Sequence, residues 1–343
     1  MEVTVIGAGV AGLTCALELA RCGVRVEVLE QAPAPGRGGC SWYAGGMLAP
    51  WCEREDGTEP LITRLGIEGL GWWRENFPGL RCAGTLVVAG ARDAPELVRF
   101  AQRTDGFRSI GGQEIATLEP QIAGRFEHAL YFPDEAHLDP REVLPHLAAR
   151  VQKLGGAVHY GRVADGAALE RAAASRNARV IDCRGLTARD ALSDLRGVRG
   201  EMLLVRSREI RLRRPVRLLH PRVPVYIIPR ADGIYMIGAT SIESDDVSPV
   251  TVRSALELLS AAYAVHPAFG EAQILEFGAQ ARPAFADNLP RIRRHGATLY
   301  VNGLYRHGFL IAPALAGMVA QSVLHDRHFP EVSDEDSRQR RLA

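Results

Sequence analysis

The first thirty residues constrain this chain more than any other stretch. Val3 to Ile6 reads as a short apolar strand, followed by Gly7-Ala8-Gly9-Val10-Ala11-Gly12 and a segment with Leu13, Ala16, Leu17 and Ala20 at helical spacing up to Gly23. A second β-branched run, Val24 to Leu29, ends on Glu30, 18 residues after Gly12. Strand, G-x-G-x-x-G, helix, strand and acid in that order make a βαβ unit suited to a dinucleotide. Gly7 permits the tight turn, Gly9 lets the backbone approach a pyrophosphate, and Gly12 lets helix and strand pack closely. The helix start at Val10 and Ala11 offers N–H groups to phosphate. Glu30, with Gln31 beside it, is placed to accept from ribose hydroxyls. An acid there favours a 2′-hydroxyl over a 2′-phosphate, which disfavours NADP; NAD and FAD stay open, as does a purely structural βαβ turn.

Composition narrows the partners. The chain has 343 residues, 47% hydrophobic and 24% charged, with 41 Lys+Arg against 40 Asp+Glu. This is globular composition, long for one core, so two domains are expected. No segment gathers a basic block, so neither nucleic acid nor an anionic membrane is expected as a partner. Lys153 is the one lysine, and the six cysteines are dispersed without a CxxC or Cys/His cluster. Reduced thiols in a cytoplasmic protein without a metal site follow. Glu2 stands where an export signal would carry positive charge. The apolar run Gly308 to Leu324 is interrupted by Pro313 and Gln321, so no membrane span is expected.

Residues 31 to 53 are dense in glycine, proline and small side chains, which predicts an irregular loop. Helical spacing recurs over Leu61 to Asn76, Pro95 to Arg103, Arg141 to Leu154, Arg253 to Ala264 and Leu310 to Leu324. Strands are predicted at Gly84 to Gly90, Ala157 to Tyr160, Val180 to Cys183 and Leu299 to Val301. Short β-rich runs at Glu201 to Arg206, Pro215 to Leu219, Val225 to Ile228 and Ile234 to Ile237 suggest an antiparallel sheet. Pro133 to Pro140 reads as a polar loop. The expected fold class is α/β: a Rossmann-like nucleotide domain (residues 1–80, 138–196 and 281–343) interleaved with an α+β, antiparallel-sheet substrate domain (81–137 and 197–280).

Five separated stretches carry a resemblance. They are the glycine motif with Glu30; Ala44-Gly45-Gly46-Met47-Leu48 followed by Trp51-Cys52-Glu53; Tyr226 to Arg230 leading to Gly238-Ala239-Thr240; Arg282-Pro283; and Gly303 to Pro313. In this order the chain resembles the D-amino-acid oxidase family of FAD-dependent oxidoreductases, most closely its glycine-oxidase branch in bacterial thiamin biosynthesis. The resemblance covers nearly the whole chain and selects FAD over NAD. It implies that Ser41, Gly45, Gly46 and Met47 lie along the flavin and its phosphate tail, Val163 and Gly185 near the adenine half, and Arg306, His307, Gly308, Phe309 and Leu310 against the flavin's pyrimidine edge. It also implies that Arg282 pairs with a substrate carboxylate, with Tyr226 and Arg306 as further site groups. On residues alone, Tyr226 as a core tyrosine and Arg306 as a structural arginine remain alternatives.

The implied chemistry moves hydride from the α-carbon of glycine, sarcosine or D-alanine to the flavin, and dioxygen becomes hydrogen peroxide. A thiazole synthase is the implied protein partner, and a homo-oligomer is expected. The sarcosine-oxidase branch tethers its flavin through a carboxyl-terminal cysteine and uses a lysine near it; here no cysteine follows Cys183 and Lys153 is remote, so noncovalent FAD is expected. Ser241 and His307 depart from the family pattern. They leave room for a bulkier N-substituted amino acid in another pathway. A non-catalytic dinucleotide-binding protein is the third reading.

Overall fold

The strand Glu2–Ile6 sits inside a six-stranded sheet ordered Arg291–His295, Thr298–Asn302, Arg179–Asp182, Glu2–Ile6, Arg25–Glu30, Ala157–Tyr160. It pairs in parallel with Arg25–Glu30 on one side and Arg179–Asp182 on the other, and the outermost strand Arg291–His295 runs antiparallel. The chain thus leaves Glu2–Ile6 toward one neighbour early and returns to the other late. Such a switch of strand order opens a crevice at the carboxyl ends of the strands, where the glycine motif lies. The structure is a computed structural model that describes residues 1–36, 38–53, 60–164, 179–221 and 223–333.

The larger sheet follows the order Ile242–Glu243, Arg196–Arg206, Ile234–Gly238, Val225–Pro229, Val216–Leu219, Thr85–Ala89, His128–Phe132, Arg108–Gly111, and Gln273–Ala284 pairs with Arg196–Arg206. Its ladders are antiparallel with one exception: Val216–Leu219 runs parallel to Thr85–Ala89, which reaches it from far along the chain. The helix Val252–Val265 covers one face through Leu258 and Ala262, and apolar strand residues such as Leu203 and Ile227 meet it there.

Several elements differ from the sequence expectation. Gln273–Ala284 is a strand without the alternation that would announce one, because its exposed half mixes apolar and polar residues. It crosses position 280/281, and Arg196–Arg206 crosses 196/197, so two of the four expected domain divisions fall within strands. Within the polar loop before Pro140, Ala136–His137 pairs with Met47–Leu48. The irregular loop after Glu30 otherwise contains only the short 3₁₀ turn Cys40–Tyr43; Arg37 lies outside the described residues.

Glycine sets the approach of the last helix, Gly308–His325, to Pro60–Asn76. A Cβ at Gly69 would stand 1.9 Å from the carbonyl oxygen of Leu310, and one at Gly66 would stand 2.9 Å from Leu310 Cδ2. Fully buried Trp73 donates its Nε1–H to Phe309 O at 2.6 Å. Gly308–His325 is long and apolar enough to cross a membrane, yet 61% of it is buried here, as a core helix between Val10–Arg21 and Pro60–Asn76.

Candidate active site

At the crevice, Gly7 adopts φ +98, and a Cβ there would lie 2.8 Å from Cys183 O. Gly12 faces Gly7 so closely that its Cβ would stand 1.8 Å from Gly7 O. The two glycines therefore fold the turn onto the strand end, and the helix Val10–Arg21 starts at the rim. Its first turn carries no acid, and Ser41 Oγ accepts from Val10 N–H at 3.2 Å. Glu30 accepts from Ala8 N–H at 2.7 Å and Ala32 N–H at 2.8 Å, so its carboxylate braces the glycine turn.

A cleft of about 910 Å³, partly open to solvent, runs from this rim between the two sheets. It brings together Val10, Ser41, Gly45, Gly46, Met47, Tyr226, Arg282, Arg306, His307, Gly308, Phe309 and Leu310 of the sequence-predicted residues. Gly7, Gly9, Ala11, Gly12, Glu30, Gln31, Val163 and Gly185 do not line it. The glycines, Ala11 and Glu30 form the turn behind its rim, Gln31 is exposed, and Val163 is 84% exposed beyond Ala157–Tyr160. Gly185, at φ +62, accepts from Asn302 Nδ2 at 2.9 Å.

The helix Gly308–His325 also begins at the cleft, again without an acid in its first turn. Two helix amino termini therefore direct partial positive charge toward one space. Tyr305 precedes this start at φ +48, a left-handed conformation uncommon for a tyrosine, and its N–H donates to Pro283 O at 3.1 Å. This bond ties the loop to the strand that carries Arg282.

Arg282 is half-buried, donates Nη1–H to Thr240 O at 3.2 Å, and forms no ion pair among the described residues. Burial and the neighbouring Arg306 cation push its pKa below the ordinary arginine value. It remains a cation. Arg306 donates from Nη2 to Tyr226 Oη, and Glu53 Oε2 lies 3.7 Å from the same nitrogen. Because the phenol oxygen accepts from Arg306, its own proton is left to point elsewhere.

Other residues around the cleft were not anticipated. Cys40, Tyr43, Gly200, Met202, Ile228, Met236, Gln280 and Tyr305 line it, drawn from the larger sheet, the glycine-rich loop and the loop before Gly308–His325. Arg230 reaches the carbonyls of Ala44 (3.2 Å), Gly45 (3.0 Å) and Leu138 (3.2 Å) and pairs with Asp139 at 2.6 Å, which fixes the Gly45–Gly46 turn. Burial lowers its pKa to about 10. Its place beside Tyr226 in the same stretch was legible; its partners were not.

Residues 2–322 match the DAO family, described as FAD dependent oxidoreductase. The chain belongs to this family. A Rhizobium etli protein under the provisional name thiamine biosynthesis oxidoreductase ThiO is 53% identical over 96% of this chain and 99% of its own. The glycine oxidase of Pseudomonas aeruginosa is 26% identical over 93% of each chain. A bifunctional protein ThiO/ThiG of Trichormus variabilis is 27% identical over 97% of this chain, which spans 54% of that longer protein. The crystal structure of glycine oxidase from Bacillus cereus has the same fold, with a TM-score of 0.78 at 22% identity over 95% of this chain and 98% of that one.

The protein is thus an FAD-dependent oxidoreductase, and its residues fit the DAO family's cofactor. Two acid-free helix starts and a glycine turn that any Cβ would close suit a pyrophosphate. Gly46, at φ +76, would drive a Cβ to 2.2 Å from Leu138 O, so the turn at the cleft wall requires glycine.

Proposed function

We propose that this protein oxidises glycine or a similarly small amino acid, such as sarcosine or D-alanine, with noncovalent FAD and dioxygen. The products from glycine are glyoxylate, ammonia and hydrogen peroxide, by way of an imino acid that water hydrolyses. The observation that carries this reading is Arg282, a half-buried guanidinium in the cleft beside Tyr226 and Arg306, with no carboxylate paired to it among the described residues. A planar fork in that setting suits a ligand carboxylate.

FAD, when bound, supplies a hydride acceptor for the substrate's α-carbon and a two-electron route to dioxygen. Gly7, Gly9, Val10, Ala11, Gly12 and Ser41 would hold its phosphates; Glu30, Gln31, Val163 and Gly185 the adenosine end; and Gly45–Met47 with Arg306–Leu310 its ring. Arg282 binds the amino-acid carboxylate and the Tyr226 O–H donates to it. The cations of Arg282 and Arg306 disfavour a charged ammonium nearby, which favours the neutral amine from which hydride can leave. The amino terminus of Gly308–His325 stabilises negative charge gathering at that side of the cleft. Noncovalent binding accords with the cleft's one cysteine, Cys40, whose thiol burial pushes up in pKa.

The ThiO name of the Rhizobium etli relative, and the joining of ThiO to ThiG in other relatives, support a role in making the thiazole of thiamin with a thiazole synthase as partner. The test is peroxide release from glycine, sarcosine and D-alanine. Arg282→Ala should abolish it at low substrate while FAD content stays unchanged; equal activity of the variant would refute the assignment.

A second reading draws on Met47, Met202 and Met236, whose flexible side chains with Ile228 form one wall of the cleft. Such a wall can yield to a larger N-substituent. A kcat/KM for an N-substituted glycine far above that for glycine would favour it.

A further inference from the structure

Arg217 is 2% exposed and stands outside the cleft, on the strand Val216–Leu219. Antiparallel register sets it directly opposite Tyr226. Its guanidinium lies 5.5 Å from the centre of the Tyr226 ring and 5.1 Å from that of Phe100, and Nη1 donates to Cys52 O. The next residue, Glu53, is the one that approaches Arg306, which in turn donates to Tyr226 Oη. The contacts therefore close a ring: Arg217, Cys52, Glu53, Arg306, Tyr226.

The other edge of the same turn is also held. Buried Glu135 accepts from Cys52 N–H at 2.7 Å and Trp51 N–H at 3.2 Å, and Thr104 donates to Trp51 O at 2.7 Å. Arg217 touches both the turn that delivers Glu53 and the ring of Tyr226. A buried cation is a costly way to fill space, since apolar side chains of similar volume often serve stability as well.

We propose that Arg217 is a positioning residue for the substrate carboxylate: by fixing the Cys52–Glu53 turn and the Tyr226 ring together, it sets the alignment of Tyr226 and Arg306 in the cleft. This rests on the amino-acid oxidase reading above. Arginine suits the task because its plane can stack on a ring while its N–H groups reach a carbonyl, which an ammonium cannot do.

The test titrates acetate, a carboxylate that cannot be oxidised as an amine, into the FAD-loaded protein and follows the visible flavin absorbance. Wild type, Arg217→Met, Tyr226→Phe and the double variant are compared, with FAD content measured in each. Arg217→Met should weaken acetate about tenfold with FAD content unchanged, on the scale of one hydrogen bond to a charged group. The double variant should lose only a few-fold more than the weaker single variant, because both substitutions disrupt one arrangement. Wild-type acetate affinity in Arg217→Met, or losses that multiply to about a hundredfold in the double variant, would overturn the proposal. Should Arg217→Met fail to load FAD, Arg217→Lys gives the second reading. A several-fold loss of acetate affinity at normal FAD content supports the role, and wild-type affinity overturns it. Failure of the wild type itself to bind acetate would instead remove the substrate reading, and this proposal with it.

Discussion

The guanidinium of Arg282 lies across Gly200, in the space a side chain at that position would occupy. A Cβ at Gly200 would stand 2.3 Å from Nη2 and 2.4 Å from Cζ. Val198 pairs with Arg282 and Gly200 with Gln280, so the arginine leans along the diagonal of the ladder onto bare backbone. Gly200→Ala should therefore displace the guanidinium without disturbing the glycine motif. KM for the amino acid should rise roughly tenfold to a hundredfold, the scale of one charge-assisted hydrogen bond, with FAD content unchanged. Steady-state kinetics beside the flavin spectrum check this; an unchanged KM would show that the lean is irrelevant to binding.

Gly12→Ala tests the cofactor end. The added Cβ meets Gly7 O at 1.8 Å, a backbone atom that moves only if the turn does. Overpacking of this kind costs about 1–3 kcal/mol and should open the turn that faces the pyrophosphate. The variant should purify with little or no flavin and a lowered Tm, seen in its visible spectrum and a thermal melt. Full yellow colour at normal Tm would contradict the role given to this turn.

Two buried groups give stability a pH dependence of opposite sign. Burial raises the Glu135 pKa from 4.5 to about 8, so the folded protein keeps this proton where the unfolded chain has released it. Its contribution is fully present below about pH 4.5 and is lost as pH rises through about 8. His137 is lowered from 6.5 to about 3, first by burial and then by the Arg81 and Arg230 cations. Its contribution is present above 6.5 and lost as pH falls through about 3. Glu135→Gln keeps the shape and an acceptor for Cys52 N–H but removes the titration. In urea denaturation from pH 6 to pH 9, wild type should lose stability relative to Glu135→Gln; parallel curves would contradict this.

The turn proposed above to hold the cofactor was legible because its spacing is local. Gly7, Gly9, Gly12 and Glu30 lie within one βαβ unit, and their spacing alone states the turn, the helix start and the strand-end acid. The residues proposed for the substrate end were nominated only through resemblance. Arg282 sits on Gln273–Ala284, a strand whose exposed half lacks alternation; successive ladders through Arg196–Arg206 and Ile234–Gly238 bring Tyr226 near it, and the Tyr305 N–H to Pro283 O bond brings the Arg306 loop. Local spacing carries no trace of such meetings. The same holds for Glu135 and Arg217: buried ionisable residues look like surface ones in sequence, and only the fold reveals that each holds an edge of the Cys52 turn. Glu30 shows the reverse case. Its position followed from spacing, while its bonds to Ala8 and Ala32 N–H required the structure.

The central claim is that the cleft receives an amino acid by its carboxylate and passes its hydride to bound FAD. Anaerobic mixing of the FAD-loaded protein with glycine, sarcosine, D-alanine and methylamine, followed at the flavin's visible absorbance, tests it most directly. The account predicts bleaching by at least one of the amino acids and none by methylamine, which lacks a carboxylate. A flavin that no amino acid bleaches, or that methylamine bleaches as fast, would contradict it.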